Sequence, residues 1–184
     1  LTFKVEPGST VDLKAIDPRY NADVKRQDAE RALNDLTLEI DALQDLMYGA
    51  DDHSLLIILQ GMDTSGKDGT IRGVFRQVSP LGSYVQGFKV PSEEELAHDF
   101  LWRVHRVVPR NGMLGIFNLS HYEDVLVVRV RNLAPENVWR ARYRQIVDFE
   151  HLLANTGTII LKFFLHISLE EQAERLLERE QNDE

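Results

Sequence analysis

The chain has 184 residues, 43% hydrophobic and 28% charged, which is the composition of a globular domain with room for one core. Its formal net charge of −9 argues against a general nucleic-acid binder, and the absence of cysteine excludes disulfides and thiolate metal sites. No apolar run approaches the ~20 residues of a membrane span, and LTFKVEPGST lacks the basic-then-apolar order of a signal peptide, so the expected setting is cytoplasmic.

Charge is unevenly spread. Residues 67–145 carry 12 basic and 8 acidic side chains, whereas residues 1–66 carry 6 and 13 and residues 146–184 carry 3 and 9. A positive middle in an acidic protein suits a small polyanion, although solvated helix faces give the same asymmetry.

Residues 1–27 read as an extended arm with Pro7, Gly8 and Pro18. From Asp28 to Tyr48, Ala32, Leu33, Leu36, Ile40, Leu43 and Met47 recur at three and four, which predicts an amphipathic helix. SLLIILQ (54–60) is a short unbroken apolar run, as in a strand buried on both faces. Ile71, Val74, Phe75 and Val78 then mark a helix, and SYVQGFKV (83–90) alternates like a strand. Ser92 followed by Glu93, Glu94 and Glu95 starts a helix whose stripe is Leu96, Phe100, Val104 and Val107. MLGIFN (113–118) is a second apolar strand, and Pro135 to Leu153 is a long helix. TIILKFFLHIS (158–168) reads as another buried strand, with Ser168 capping a last helix. Strand and helix alternate, so the expectation is one α/β domain over 1–184, a parallel sheet with helices on both faces.

GMDTSGKDG (61–69) falls between a buried strand and an amphipathic helix. Gly61 and Gly66 allow a tight turn whose amides, with those of Thr64, Ser65 and Gly69, can surround phosphate. The helix start adds positive potential, and Lys67 adds a charge that bridges neighbouring phosphates. Asp68 stands where an ATP-binding loop of this spacing has Ser or Thr. Two carboxylates among phosphates call for a cation, and Mg²⁺ (or Mn²⁺ in its place) is the natural one, with Asp63 as its ligand or as an orienter of the accepting phosphate. Asp68 is open to a second reading, as a solvent-facing acid at a helix start. Arg72 and Arg76 lie one turn apart and either line a phosphate track or face solvent. Lys89 closes a strand at the end where ligands bind in open sheets. Arg103 stands four after Asp99, the spacing of an intrahelical ion pair. Ser120, His121 and Asp124 do not make a hydrolase triad, since the nucleophile elbow is lacking and they lie too close in sequence.

LQGMDTSGKDGTIR (59–72), FKVPSEEELAHDFLWRVHR (88–106), GIFNLSHYEDVLVVRV (115–130) and ILKFFLHIS (160–168) together resemble the polyphosphate kinase 2 family, in particular the branch acting on both AMP and ADP. VEPGSTVDLKAIDP (5–18) resembles that branch's N-terminal arm. The resemblance covers essentially the whole chain. It implies a three-layer P-loop kinase-like fold related to thymidylate kinase, Mg²⁺, inorganic polyphosphate as donor, AMP, ADP or ATP as partner, and a homo-oligomer. It implies catalytic roles for Asp63 and Lys67, with Asn118 in the third matching motif, and phosphate contacts from Lys89 and Arg103; the mechanism that this suggests adds the loop amides, Arg72 at the catalytic centre and Arg76 as groups that hold and neutralise phosphate. It implies a nucleotide side built by Asp99, Arg103, Glu123 and Asp124. The chain departs from the family in two ways: Leu119 stands where the family has Arg, and a basic lid with further helices is expected after about residue 180 but not found. Two rival readings follow, an ATP-dependent nucleoside monophosphate kinase and a weakly active binding variant.

Overall fold

A computed structural model describes residues 3–181. The expected loss of a lid lies outside those residues. The described positions before α1, residues 3–25, hold one 3-10 turn, Leu13–Ala15. Seven α-helices and four strands follow among the described residues: α1 (Arg26–Ala50), β1 (Ser54–Gly61), α2 (Lys67–Val74), β2 (Ser83–Gly87), α3 (Glu93–Leu96), α4 (Trp102–His105), β3 (Leu114–Asn118), α5 (Glu123–Val130), α6 (Glu136–Asn155), β4 (Thr158–Leu165) and α7 (Leu169–Gln181).

The sheet is parallel throughout, in the order β2-β3-β1-β4. β1 sits inside it, which explains its unbroken apolar sequence: alternate residues meet opposite helical layers. On one face Leu56, Ile58 and Phe117 pack with Val104, Phe149 and Leu153. On the other, Ile57, Leu59, Leu114 and Ile116 pack with Val78, Ile71 and Phe75, and with Ile40 and Met47 of α1. Each buried Leu or Ile contributes about 1.5–3 kcal/mol.

Three expectations need correction. β4 is an edge strand, and Ile159, Leu161 and Phe163 are about half exposed, at 51%, 42% and 49%. The helix expected after Ser92 is two short helices. The Asp99 carboxylate accepts from the Leu101 amide at 3.0 Å and turns the chain between them, which leaves Leu96 exposed. On α1 the buried line includes Thr37 and Gln44, while Leu36 and Leu43 face outward. Thr37 tolerates burial because its hydroxyl donates to the Asn34 carbonyl at 2.8 Å.

Candidate functional site

Leaving β1, the chain runs on to β2 at the far side of β3, and β4 lies on the opposite flank of β1. The carboxyl ends of β1 and β3 therefore flank a topological switch point, where open α/β sheets bind ligands. A cavity of about 810 Å³ opens there.

Its floor is the loop 61–69. Gly61 is required by close approach: a Cβ there would lie 2.5 Å from Ser65 Oγ and 2.9 Å from the Leu165 carbonyl oxygen. Gly66 adopts φ 93° as the residue before α2, so its left-handed turn aims the first amides of α2 at the cavity. Lys67 folds back over the loop, its Nζ donating to the carbonyls of Met62 at 3.0 Å and Gly61 at 3.1 Å. The ammonium is thus held by neutral groups, and its charge remains available to an anion. Thr64 Oγ1 is buried without a hydrogen-bond partner among the described residues, an orphaned acceptor and donor in the loop itself.

The walls carry the other charges. Asp63 accepts from the Thr64 amide at 2.8 Å and lies 3.6 Å from the Arg179 guanidinium. α7 also reaches the loop backbone, through Gln172 to the Asp63 carbonyl at 3.1 Å and Arg175 to the Thr64 carbonyl at 2.9 Å. Asp68 is not simply a solvent-facing acid, because Asn118 Nδ2 donates to its Oδ1 at 2.5 Å. Arg72 lines the cavity beside it. Glu123 lines it as well. Burial pushes that carboxyl up, against a hydrogen bond from Gln60 and the Lys67 charge, which pull it down. Leu119, at φ 66°, sits on the wall with Leu126, Val127, Val130 and Phe164.

Sequence reasoning thus places Gly61, Asp63, Thr64, Ser65, Gly66, Lys67, Asp68, Gly69, Arg72, Asn118 and Glu123 on one cavity. Arg76, Lys89, Asp99, Arg103 and Asp124 do not line it. Arg76 is bonded to the Asn34 side chain of α1. Lys89 is exposed beyond the end of β2. Asp99 lines a separate shallow pocket with Trp102 and Arg106. Arg103 is buried over the Phe88 ring, donating to the Lys89 carbonyl at 2.9 Å and to Asp124 Oδ2 at 3.2 Å. Its ion-pair partners are Asp124 and, at 3.8 Å, Glu95, not Asp99. Sequence reasoning missed Gln60 and Phe164, which the pairing of β1 with β4 brings to the cavity mouth. Each stands next to last in its strand, at the carboxyl edge, and that position is the available signal.

A parallel sheet carrying a glycine–lysine loop at a strand-to-helix turn, with acids and an asparagine lining the same cavity, defines a P-loop protein of the kinase-like class. The family model for Polyphosphate kinase 2 matches residues 23–183, and the chain belongs to that family. It is 53% identical over 184 residues to the AMP/ADP-polyphosphate phosphotransferase of Meiothermus ruber, covering 99% of this chain and 69% of that protein. It is 42% identical to the ADP-polyphosphate phosphotransferase of Rhodopseudomonas palustris, covering 96% of this chain and 66% of the relative. The crystal structure of Polyphosphate Kinase 2 from Arthrobacter aurescens TC1 superposes with a TM-score of 0.90 at 38% identity, covering 96% of this chain and 64% of that one. The chain therefore spans about two thirds of the length of these relatives.

Proposed function

We propose that this site transfers a phosphoryl group between inorganic polyphosphate and AMP or ADP, in either direction. The observation that carries the reading is the Lys67 ammonium held over the loop by two carbonyls, in a cavity that the side chains of Asp63 and Asp68 also line. Such a site suits a phosphate chain and a cation together. The relatives' activities support polyphosphate and adenine nucleotides as the substrates.

An anionic oxygen of the nucleotide's terminal phosphate attacks the end phosphorus of the chain. The bond from that phosphorus to its bridging oxygen breaks, and the shortened polyphosphate leaves with the electron pair. No general base is needed, since the acceptor is already an anion. The chain's own work is positioning and charge neutralisation. Lys67 and the loop amides hold the transferred group, Arg72 neutralises the neighbouring phosphate, and Asn118 fixes the direction of Asp68.

No group of three His, Asp or Glu side chains able to hold a metal occurs among the described residues, so the protein alone does not cage an ion. Asp63 and Asp68 with the unpartnered Thr64 hydroxyl do fit Mg²⁺, or Mn²⁺ in its place, shared with phosphate oxygens. When bound, the ion supplies neutralisation of phosphate charge. Asp63 would be its ligand, and Arg179 would have to release that carboxylate. Arg76, Lys89, Arg103, Asp99 and Asp124 lie outside the lining of this cavity. The outward leucines of α1, Leu36, Leu43 and Leu46, support a homo-oligomer. No helix of the described residues is long and apolar enough to cross a membrane, and a cytoplasmic setting, where nucleotides are at hand, suits the activity.

One observation favours a second reading, weak activity: Leu119 puts an apolar side chain on the wall where a guanidinium would clamp the moving phosphoryl group. Titration calorimetry with tripolyphosphate and Mg²⁺ tests the phosphate site. Binding that Lys67→Ala removes supports it, and equal binding by both proteins contradicts it.

A further inference from the structure

Behind the site loop lies a polar cluster that the proposed reaction does not use. The Glu150 carboxylate of α6 is buried and receives three donors or partners. Tyr122 donates its hydroxyl to Oε1 at 2.7 Å, Lys162 of β4 donates to Oε2 at 2.7 Å, and His121 Nε2 lies 3.3 Å from Oε1. Lys162 also donates to the Tyr122 hydroxyl at 3.0 Å. The imidazole of His121 is fully buried, stacked on the Tyr122 ring, with Nδ1 unpartnered among the described residues.

We propose that Glu150, braced by Lys162, is a positioning residue that holds His121 and Tyr122 so that the segment 118–123 presents Asn118 and Glu123 to the cavity. The proposal rests on the phosphoryl-transfer reading of that cavity. The segment is pinned from the front by Asn118 to Asp68 at 2.5 Å and by Gln60 to the Ser120 hydroxyl at 2.8 Å. The Ser120 hydroxyl in turn accepts from the Tyr122 amide at 3.2 Å. Glu150 of α6 and Lys162 of β4 pin it from the back. The segment needs such pinning because it includes Leu119 in the left-handed region.

Stability alone is a poor explanation for this cluster. A carboxylate taken out of water recovers little net stability even when it is paired. A fully buried nitrogen left without a partner is a cost the core would avoid if nothing required the ring to stay there. Burial acts to raise the Glu150 carboxyl, yet the His121, Lys162 and Tyr122 hydrogen bonds and the Lys162 charge bring it down to about 2, so the carboxylate is a permanent acceptor at neutral pH.

The test compares Glu150→Gln, Lys162→Met and Lys162→Arg with the unaltered 184-residue chain. Lys162 is half exposed, so its ammonium is solvated when Glu150 loses its charge and the fold survives. Hydrogen exchange is followed peptide by peptide, and turnover is followed with Mg²⁺, polyphosphate and ADP. Glu150→Gln and Lys162→Met should speed exchange in 118–124 by about tenfold or more while β1 and β3 stay protected. They should lower kcat by about 30-fold with KM within about twofold. Lys162→Arg should keep kcat within about threefold. Unchanged exchange in 118–124 overturns the proposal, as does kcat within about twofold in Glu150→Gln. A melting midpoint lowered by more than about 10 °C, with exchange rising throughout, also overturns it and makes the cluster a structural prop. If the unaltered chain transfers nothing from polyphosphate, the functional reading fails, and the exchange result alone decides the positioning.

Discussion

Asn118 and Asp68 are 50 residues apart, and the Asn118 amide donates to the Asp68 carboxylate at 2.5 Å. The bond ties the carboxyl end of β3 to the first turn of α2, so the two strand ends that frame the cavity move as one. Asn118→Ala releases Asp68 into a site already holding Asp63. Transfer should fall by about tenfold or more. The pair is exposed, so the melting midpoint should move by less than about 2 °C. Steady-state rates and thermal melts of the same samples check both parts.

Lys67→Ala removes the cation bonded to the carbonyls of Gly61 and Met62. Its partners are solvent-reachable, so the fold should survive with an unchanged circular dichroism spectrum. Transfer should drop by about a hundredfold or more. Retained activity would remove the phosphate-loop assignment.

Leu119 lines the cavity at φ 66°. Arginine there pays the same left-handed backbone cost as leucine, and its side chain leaves an open wall for the phosphate region. Leu119→Arg should therefore raise kcat, by about tenfold or more, with the melting midpoint shifted by no more than about 2 °C. An unchanged rate means that this position does not face the transferred group.

Gly61→Ala places a Cβ against Ser65 Oγ and against a backbone oxygen of β4 that does not give way. It should cost about 1–3 kcal/mol, and transfer should fall with it. Denaturant melts and initial rates measure the two effects.

Glu150 carries a pH signature. Its folded-state pKa, about 2, lies below the ordinary 4.5. The stability it contributes is therefore complete above 4.5 and is lost as the pH falls from 4.5 towards 2. The gap in melting midpoint between the unaltered chain and Glu150→Gln should be constant near neutrality and close across that acid window. A gap as wide near pH 2 as at neutrality would mean the carboxylate is not the source, on the same sign argument.

The site was legible where the chemistry is local. The strand–loop–helix 54–74 carries its own instructions: an unbroken apolar run, glycines where backbone must approach, and a lysine at a helix start. β3 and its Asn118 follow from a second such run. What stayed hidden depends on partners distant in sequence. Arg103 reads as a phosphate contact or as the partner of Asp99, but it turns inward to Asp124, 21 residues on. TIILKFFL has the composition of an inner strand, and composition says nothing about whether a neighbour lies on the second flank. Glu150 sits in a helical stretch as one acid among many, and it becomes a node only when β4 brings Lys162 within 2.7 Å.

The most direct test of the account is a donor exchange. The 184-residue chain is incubated with Mg²⁺ and AMP or ADP, with polyphosphate in one arm and ATP in the other, and new nucleotides are separated by chromatography. The account predicts ADP from AMP and ATP from ADP in the polyphosphate arm, and none of this product with Lys67→Ala. Product in the ATP arm alone, or polyphosphate-dependent product that survives Lys67→Ala, would contradict it.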